Sequence, residues 1–272
     1  MLKVTICMII IIEMEPNIEN EDLKLILQAN LLYYHDNPHT MSMIYYAAAQ
    51  SSYINGGGHF IKGSSQNLSN YLKQVIEDNN GQVLLGKKVS RILVEGKKAC
   101  GVFFKDSFNT ALPETKITAE VIIANVAIPL VKEMLPETES LKIAHKADHL
   151  KVACSLLSIY IGFKKEIKEL GNLHYSTFVV GDNVRSINDI HENNKGNWAN
   201  KNFVFVDYSQ IDAQLAPKGK SVRVICAADY ISDWDQLDSE TYKAKKEEVA
   251  QLFFKRLEKS SLELQTILNT MK

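Results

Sequence analysis

The stretch Gly58-His59-Phe60-Ile61-Lys62-Gly63-Ser64-Ser65 comes within one residue of the phosphate-gripping pattern G-x-x-x-x-G-K-[ST]. Ser64 stands where a lysine would reach the β and γ phosphates, and no buried apolar strand leads into the turn. The residues therefore argue against a nucleotide-hydrolysing loop. A dinucleotide turn G-x-G-x-x-G begins correctly at Gly56 and Gly58, but Ile61 occupies the place of its third glycine. His145 and His149, four apart beside Asp148, have the spacing of a helical metal pair. They lack an identifiable third ligand and share the segment with Lys142, Lys146 and Lys151, so a solvated face is the better reading and no metal is expected. His35 and His39 repeat the spacing with Pro38 between them, which makes a regular helical turn doubtful there. No G-x-S-x-G elbow occurs, and Cys7, Cys100, Cys154 and Cys226 form no C-x-x-C pair, so neither a hydrolase nucleophile nor a zinc or disulfide framework can be named. No side chain is assigned as a catalytic acid or base. Tyr33, Tyr34, Tyr45, Tyr46 and Tyr53 crowd one segment; each reads as core or core edge, with the wall of an apolar ligand cavity as the alternative.

The elements that must carry these residues fall into three blocks. In the first, Asn20 can cap a helix with Leu23, Ile26, Leu27, Asn30 and Leu31 at helical spacing, and a second helix covers 41–50. In the second, Ser64 or Ser65 caps a helix striped with Leu68, Tyr71, Leu72, Val75 and Ile76. Short strands at 83–85, 89–94, 99–104 and 121–124 follow, with a hairpin turn at Glu95-Gly96-Lys97-Lys98. The third opens with a helical stretch around 130–149, continues with strands at 152–163, 173–180, 203–208 and 221–228, and closes in an amphipathic helix. Long strands joined without intervening helices predict an antiparallel sheet, hence an α+β fold.

Composition agrees with a folded chain: 46% of the 272 residues are apolar and 23% charged. Thirty-one basic residues against 32 acidic ones leave a net charge of −1, which provides no global field for nucleic acid or an anionic membrane. The apolar run at 4–12 is too short to span a bilayer and no small-residue cleavage site follows it, so a buried strand or an ill-fitting terminus is expected there. The reading predicts no transmembrane segment and a cytoplasmic chain, with peripheral membrane association left open.

Three stretches, 56–68, 81–92 and Ala119-Glu120-Val121-Ile122-Ile123-Ala124-Asn125, together resemble the middle of the FAD-dependent oxidoreductases of the phytoene dehydrogenase and all-trans-retinol 13,14-reductase (retinol saturase) type. Residues 158–163 and 211–220, Trp234 and the helix at 242–257 resemble the substrate domain of that family. The resemblance implies a helical substrate-domain segment at 1–56, an incomplete α/β piece of an FAD domain at 57–126, and an antiparallel-sheet substrate domain at 127–272. It implies that Val89 meets the adenine by its backbone and that Ala124 and Asn125 end a strand near the cofactor. Gly58, His59, Phe60 and Lys62 would approach the flavin and an apolar carotenoid, retinoid or lipid. The implied chemistry is hydride transfer between FAD and a C–C bond of a polyene. Because the Gly-rich βαβ turn is not found here, the chain is expected not to hold FAD alone. It is then a truncated enzyme, a subunit completed by an FAD-binding chain, or a non-catalytic apolar-ligand or assembly protein, or a remnant. The strands at 83–85 and 121–124, lacking their cover, predict self-association or an adhesive surface.

Overall fold

A computed structural model describes residues 17–147, 150–164, 174–211 and 214–260. The run at 4–12, His149 and the residues from 261 on lie outside the described residues. The chain divides into two compact units, residues 1–69 with 153–272 and residues 70–152.

The first unit begins with helix α1, Glu21–Leu27, where the Asn20 side chain accepts from the Leu23 N–H as a cap. The helix stops at Leu27, short of the expected stripe, and Leu31 opens a separate 3-10 turn over Leu31–Tyr33. Of that stripe only Leu31 is a buried apolar residue; Leu23, Ile26 and Leu27 are exposed, while Lys24 is buried and pairs with Glu21 at 2.6 Å. Helix α2, Met43–Gly56, is capped by Ser42 and ended by Gly57, whose φ of +73° closes the last turn on the Tyr53 carbonyl. Leu31, Met41 and Tyr46 pack against Val184, Ile187 and Ile190 as one small core.

The main core lies on a four-stranded antiparallel sheet, β4 (Ser155–Phe163), β7 (Ser221–Asp229), β6 (Phe203–Asp207) and β5 (Ser176–Val179), in that spatial order. Its strands pair with Ile159 opposite Ile225 and Phe205 opposite Ile225, which fixes which side chains share a face. On one face Ile161, Phe163, Phe203, Phe205, Ile225 and Ala227 meet Val249, Phe253 and Leu257 of the closing helix α7, Ser239–Ser260. Helix α6, Ile190–Lys195, lies before β6. The expected long strands are present and antiparallel, with three trimmed: 152–154 are unpaired, only Ser176–Val179 of the described part of 173–180 forms a ladder, and Tyr208 opens a 3-10 turn instead of closing β6.

The chain passes into the second unit within helix α3, Ser65–Asp78. Its stripe Leu68, Tyr71, Leu72, Val75 and Ile76 is exposed, and the helix leans on local pairs, Lys73 with Glu77 at 2.7 Å and Gln74 with Asp78 at 2.6 Å. A three-stranded antiparallel sheet follows, β1 (Lys87–Glu95), β2 (Lys98–Asp106) and β3 (Thr115–Thr118). The hairpin turn sits as expected, and Gly96 (φ +55°) and Lys97 (φ +69°) give it the primed geometry that matches strand twist. The expected strands at 83–85 and 121–124 do not form. Both stretches carry no regular structure, because among the described residues no neighbouring strand offers them a ladder, and Leu85, Val121 and Ile123 are exposed. The single helical stretch expected at 130–149 is two helices, α4 (Ile128–Met134) and α5 (Glu137–Ala147), with Pro136 between them removing the N–H needed for continuity.

Candidate functional site

The side chains of a strand alternate between faces, so the residues between those facing α7 must look the other way. Leu156, Val204, Val206 and Cys226 do so, and they floor a cleft of about 590 Å3 inside the first unit. Its remaining wall is aromatic: Tyr33 and Tyr53 come from the helical segment, Tyr175 and Tyr208 from the ends of β5 and β6, and Phe60 from the stretch after α2. The rings pack edgewise. Phe60 and Tyr208 have centroids 5.3 Å apart, Tyr175 and Tyr208 5.9 Å, and Tyr33 meets Phe178 at 5.8 Å.

Three of the four residues expected on the substrate side, Gly58, His59 and Phe60, line this cleft; Lys62 is not in its wall and its carbonyl accepts from the Asn67 amide at 2.8 Å. The His59 ring nitrogen lies 3.0 Å from the Gly56 carbonyl, which fastens the loop on itself. A Cβ at Gly58 would lie 3.4 Å from the Tyr53 ring, an ordinary contact, so the loop passes beside the tyrosine.

Burial raises the phenols of Tyr33, Tyr208 and Tyr175, the last to about 12, and raises the Cys226 thiol as well. The upward shifts at Tyr33, Tyr175 and Tyr208 keep these three phenols neutral across the physiological range. The cleft itself carries no Lys, Arg, Asp or Glu among its described lining residues.

What holds Tyr208 in place lies beneath it. Asp207 and Arg223 are both fully buried, joined at 2.7 Å across β6 and β7. The same carboxylate accepts from Ser209 N–H at 3.0 Å, Ser209 Oγ at 2.6 Å and Gln210 Nε2 at 3.1 Å, which fixes the turn Tyr208–Gln210. The Asp207 N–H donates to the Tyr175 carbonyl at 2.7 Å. Asp207 thus anchors both tyrosines, and the sequence shows it only as a charged residue closing an apolar strand.

The second unit holds another cleft, of about 830 Å3, and all three residues expected on the cofactor side, Val89, Ala124 and Asn125, line it. Ile122, Ile123 and Leu130 share the wall with Lys88 and Lys105. At its rim Lys87 pairs with Asp106 at 2.6 Å; that contact and the Asn109 and Phe108 N–H groups hold the Asp106 carboxyl down at about 2. Among the described residues β1 lies at the edge of its sheet, so the outer backbone groups of that strand have no ladder partner there. These features suit an adenine. They do not suit a pyrophosphate, which needs a Gly-rich turn leading into a helix N-terminus. The G-x-G-x-x-G pattern does not occur in the sequence, and α4 starts at Ala127-Ile128-Pro129 with no side-chain cap.

No group of three or more His, Cys, Asp or Glu side chains suited to a metal occurs among the described residues. Cys100, Cys154 and Cys226 are free thiols, and no described helix is long and apolar enough to cross a membrane.

Residues 13–264 match the model of a family described as flavin containing amine oxidoreductase. Among characterised proteins the chain is 28% identical over 214 residues to a chloroplastic prolycopene isomerase of Arabidopsis thaliana, a match covering 75% of this chain and 32% of that protein. It is 25% identical over 239 residues to the neurosporene-forming phytoene desaturase of Rhodobacter capsulatus, covering 84% of this chain and 44% of the relative. An inactive all-trans-retinol 13,14-reductase of Danio rerio matches at 28% over 119 residues, 42% of this chain and 19% of its own. The chain thus spans less than half the length of these curated relatives. In fold it is similar to the crystal structure of an oxidoreductase from Methanosarcina mazei, with a TM-score of 0.61 at 15% identity over 94% of this chain and 52% of the other.

Proposed function

The chain belongs to the flavin containing amine oxidoreductase family, and from that premise we propose that it is the substrate-binding part, with a portion of the cofactor domain, of a flavin oxidoreductase acting on an apolar polyene-like molecule. The observation that carries the reading is the aromatic-walled cleft on the open face of the antiparallel sheet, where an extended apolar chain can lie between Phe60, the tyrosines and Val204. That the three relatives are named for carotenoid or retinoid chemistry supports the same substrate class.

FAD, when bound, exchanges a hydride with a C–C bond of the substrate, so that two hydrogens are gained or lost overall. The part of this chain is to receive the substrate, orient it and keep water away. Val89, Ala124 and Asn125 would meet the adenine end. The pyrophosphate would be held by residues other than these 272, on another stretch of the polypeptide or on another chain, so the isolated chain binds no FAD. The exposed apolar residues Leu84, Leu85, Val121 and Ile123, with the stripe of α3, are where such a segment or a second copy would settle.

The test is conversion. The chain, supplied with FAD, a polypeptide carrying the Gly-rich βαβ unit of a relative and, in separate runs, a quinone as electron acceptor or dithionite as reductant, is given a conjugated polyene without oxygen, and the product is weighed by mass spectrometry. A mass change of two hydrogens that disappears in Val204→Arg supports the reading. Tight polyene uptake with no conversion under any complement would instead favour a non-catalytic apolar-ligand protein.

A further inference from the structure

Strand β4, Ser155–Phe163, is the edge of the four-stranded sheet. Its inner side pairs with β7 over all nine residues without a bulge, and among the described residues no strand lies beyond its outer side. Every second residue there turns its N–H and C=O outward. Edges of this kind are normally blunted by a charge, a proline, a bulge or shortness. β4 reads Ser-Leu-Leu-Ser-Ile-Tyr-Ile-Gly-Phe and carries none of these devices. Tyr160 is 75% exposed and Leu156 59%. Beside the strand runs a groove of about 460 Å3, with Leu157, Ile159 and Val249 in its apolar wall and Lys243, Lys246 and Glu247 of α7 as its charged residues.

The strand is complementary in size to its own reverse. Laid antiparallel on a second copy with Ile159 opposite Ile159, it sets Gly162 against Leu156, Ser158 against Tyr160 and Ser155 against Phe163, each time a small residue against a large one, and Leu157 against Ile161. In this register the side chains that face α7 in one copy lie beside those that face α7 in the other, so both α7 helices stand on one face of a continuous sheet. The lysines of each groove then face the Glu247 of the other, a pairing of opposite charges that a two-fold axis supplies twice. A nine-residue edge is about 30 Å long and, with α7 beside it, about 20 Å deep, which removes roughly 600 Å2 from each copy. The total is about 1,200 Å2, where specific interfaces begin, so the contact suits a dimer of moderate affinity.

We propose that the outer edge of β4 is a dimerisation surface whose partner is β4 of a second copy of this chain, paired antiparallel about a two-fold axis at Ile159.

Sedimentation of the full chain decides it, in a background carrying Leu72→Lys and Ile123→Lys so that the exposed apolar surface of the second unit takes no part. The expected species is a dimer that stops at two copies, with a dissociation constant on the order of micromolar. Gly162 is the first position to change, because a Cβ there meets nothing within 4 Å in the single copy. Gly162→Lys sets a charge against Leu156 of the second copy, so the dissociation constant should rise at least about tenfold. An unchanged urea midpoint by tryptophan fluorescence shows that the variant has folded. The register is checked by mixing. Tyr160→Lys and Ser158→Glu should each weaken the dimer alone, and an equimolar mixture should recover it, since the two new charges lie opposite each other. A monomer up to about 100 μM, growth past two copies, or a dimer indifferent to Gly162→Lys overturns the proposal, and so does a mixture that associates no more tightly than its two components.

Discussion

Replacing Arg223 with Met should destabilise the sheet unit more than any surface change could. Arg223 and Asp207 are fully buried and 2.7 Å apart, with the guanidinium over the Phe163 and Phe205 rings. Met fills much of the same volume and preserves the apolar contacts, so the loss is electrostatic: the Asp207 carboxylate stays buried without its counter-charge. Removing one partner of such a pair costs about 3–5 kcal/mol. The Ser209 and Gln210 donors still reach Asp207, which places the expected loss near the lower end, about 3 kcal/mol. Both tryptophans, Trp198 and Trp234, lie in this unit, so their fluorescence follows its unfolding selectively. With a urea dependence of about 2–3 kcal/mol per molar, the midpoint should fall by about 1–1.5 M. The double variant Arg223→Met with Asp207→Leu removes both charges and should recover much of that loss. A fall of less than about 0.3 M in the single variant, or a double variant less stable than the single one, would refute the argument that an uncompensated carboxylate sets the cost.

Phe253→Ala in α7 should cost about 3–5 kcal/mol, because Phe253 is fully buried against Phe203 at 5.3 Å between ring centroids; urea unfolding checks it. The phenols of Tyr46 and Tyr175 are pushed up to about 12 by burial, from an ordinary 10.0. Folded pKa values above unfolded ones mean that stability is full below about pH 10 and falls as pH rises towards about 12. Urea midpoints measured from pH 8 to 11.5 should therefore decline only above about pH 10, with a late-titrating set of tyrosines in the ultraviolet spectrum. Leu72→Lys and Ile123→Lys, each on an exposed apolar surface, should lower self-association in light scattering without lowering the unfolding midpoint; a clean monomer of the unaltered chain over a wide concentration range would remove the motive for both.

Where a residue's role is written in local periodicity or turn chemistry, the sequence was legible. The cap at Asn20, the turn at Gly96-Lys97 and the antiparallel ladders of 203–207 and 221–229 follow from side-chain types and alternation. The failures share a cause, which is that pattern does not say what a face will meet. Apolar runs at 83–85 and 121–124 have strand composition, but a strand exists only with a ladder partner, and none is at hand among the described residues. The stripe on α3 reads as a buried face and is exposed for the same reason. The 3-10 turn at Leu31 and the short strand Thr115–Thr118 carry too few residues for a period to emerge. In the candidate site, Gly58, His59 and Phe60 are expected from resemblance and not from spacing, and Tyr33 and Tyr53, which read as core or as the wall of an apolar cavity, line the cleft. Tyr175, Tyr208 and the Asp207–Arg223 anchor depend on strand register over long sequence separations, which no local window contains.

The most direct test of the account is the flavin absorbance of the purified chain, measured first alone with excess FAD and then with a polypeptide carrying the G-x-G-x-x-G βαβ unit of a relative. The account predicts no bound flavin in the first case, since the cleft at Val89, Ala124 and Asn125 suits only the adenine end, and near one-to-one flavin in the second. Stoichiometric flavin on the chain alone would contradict it.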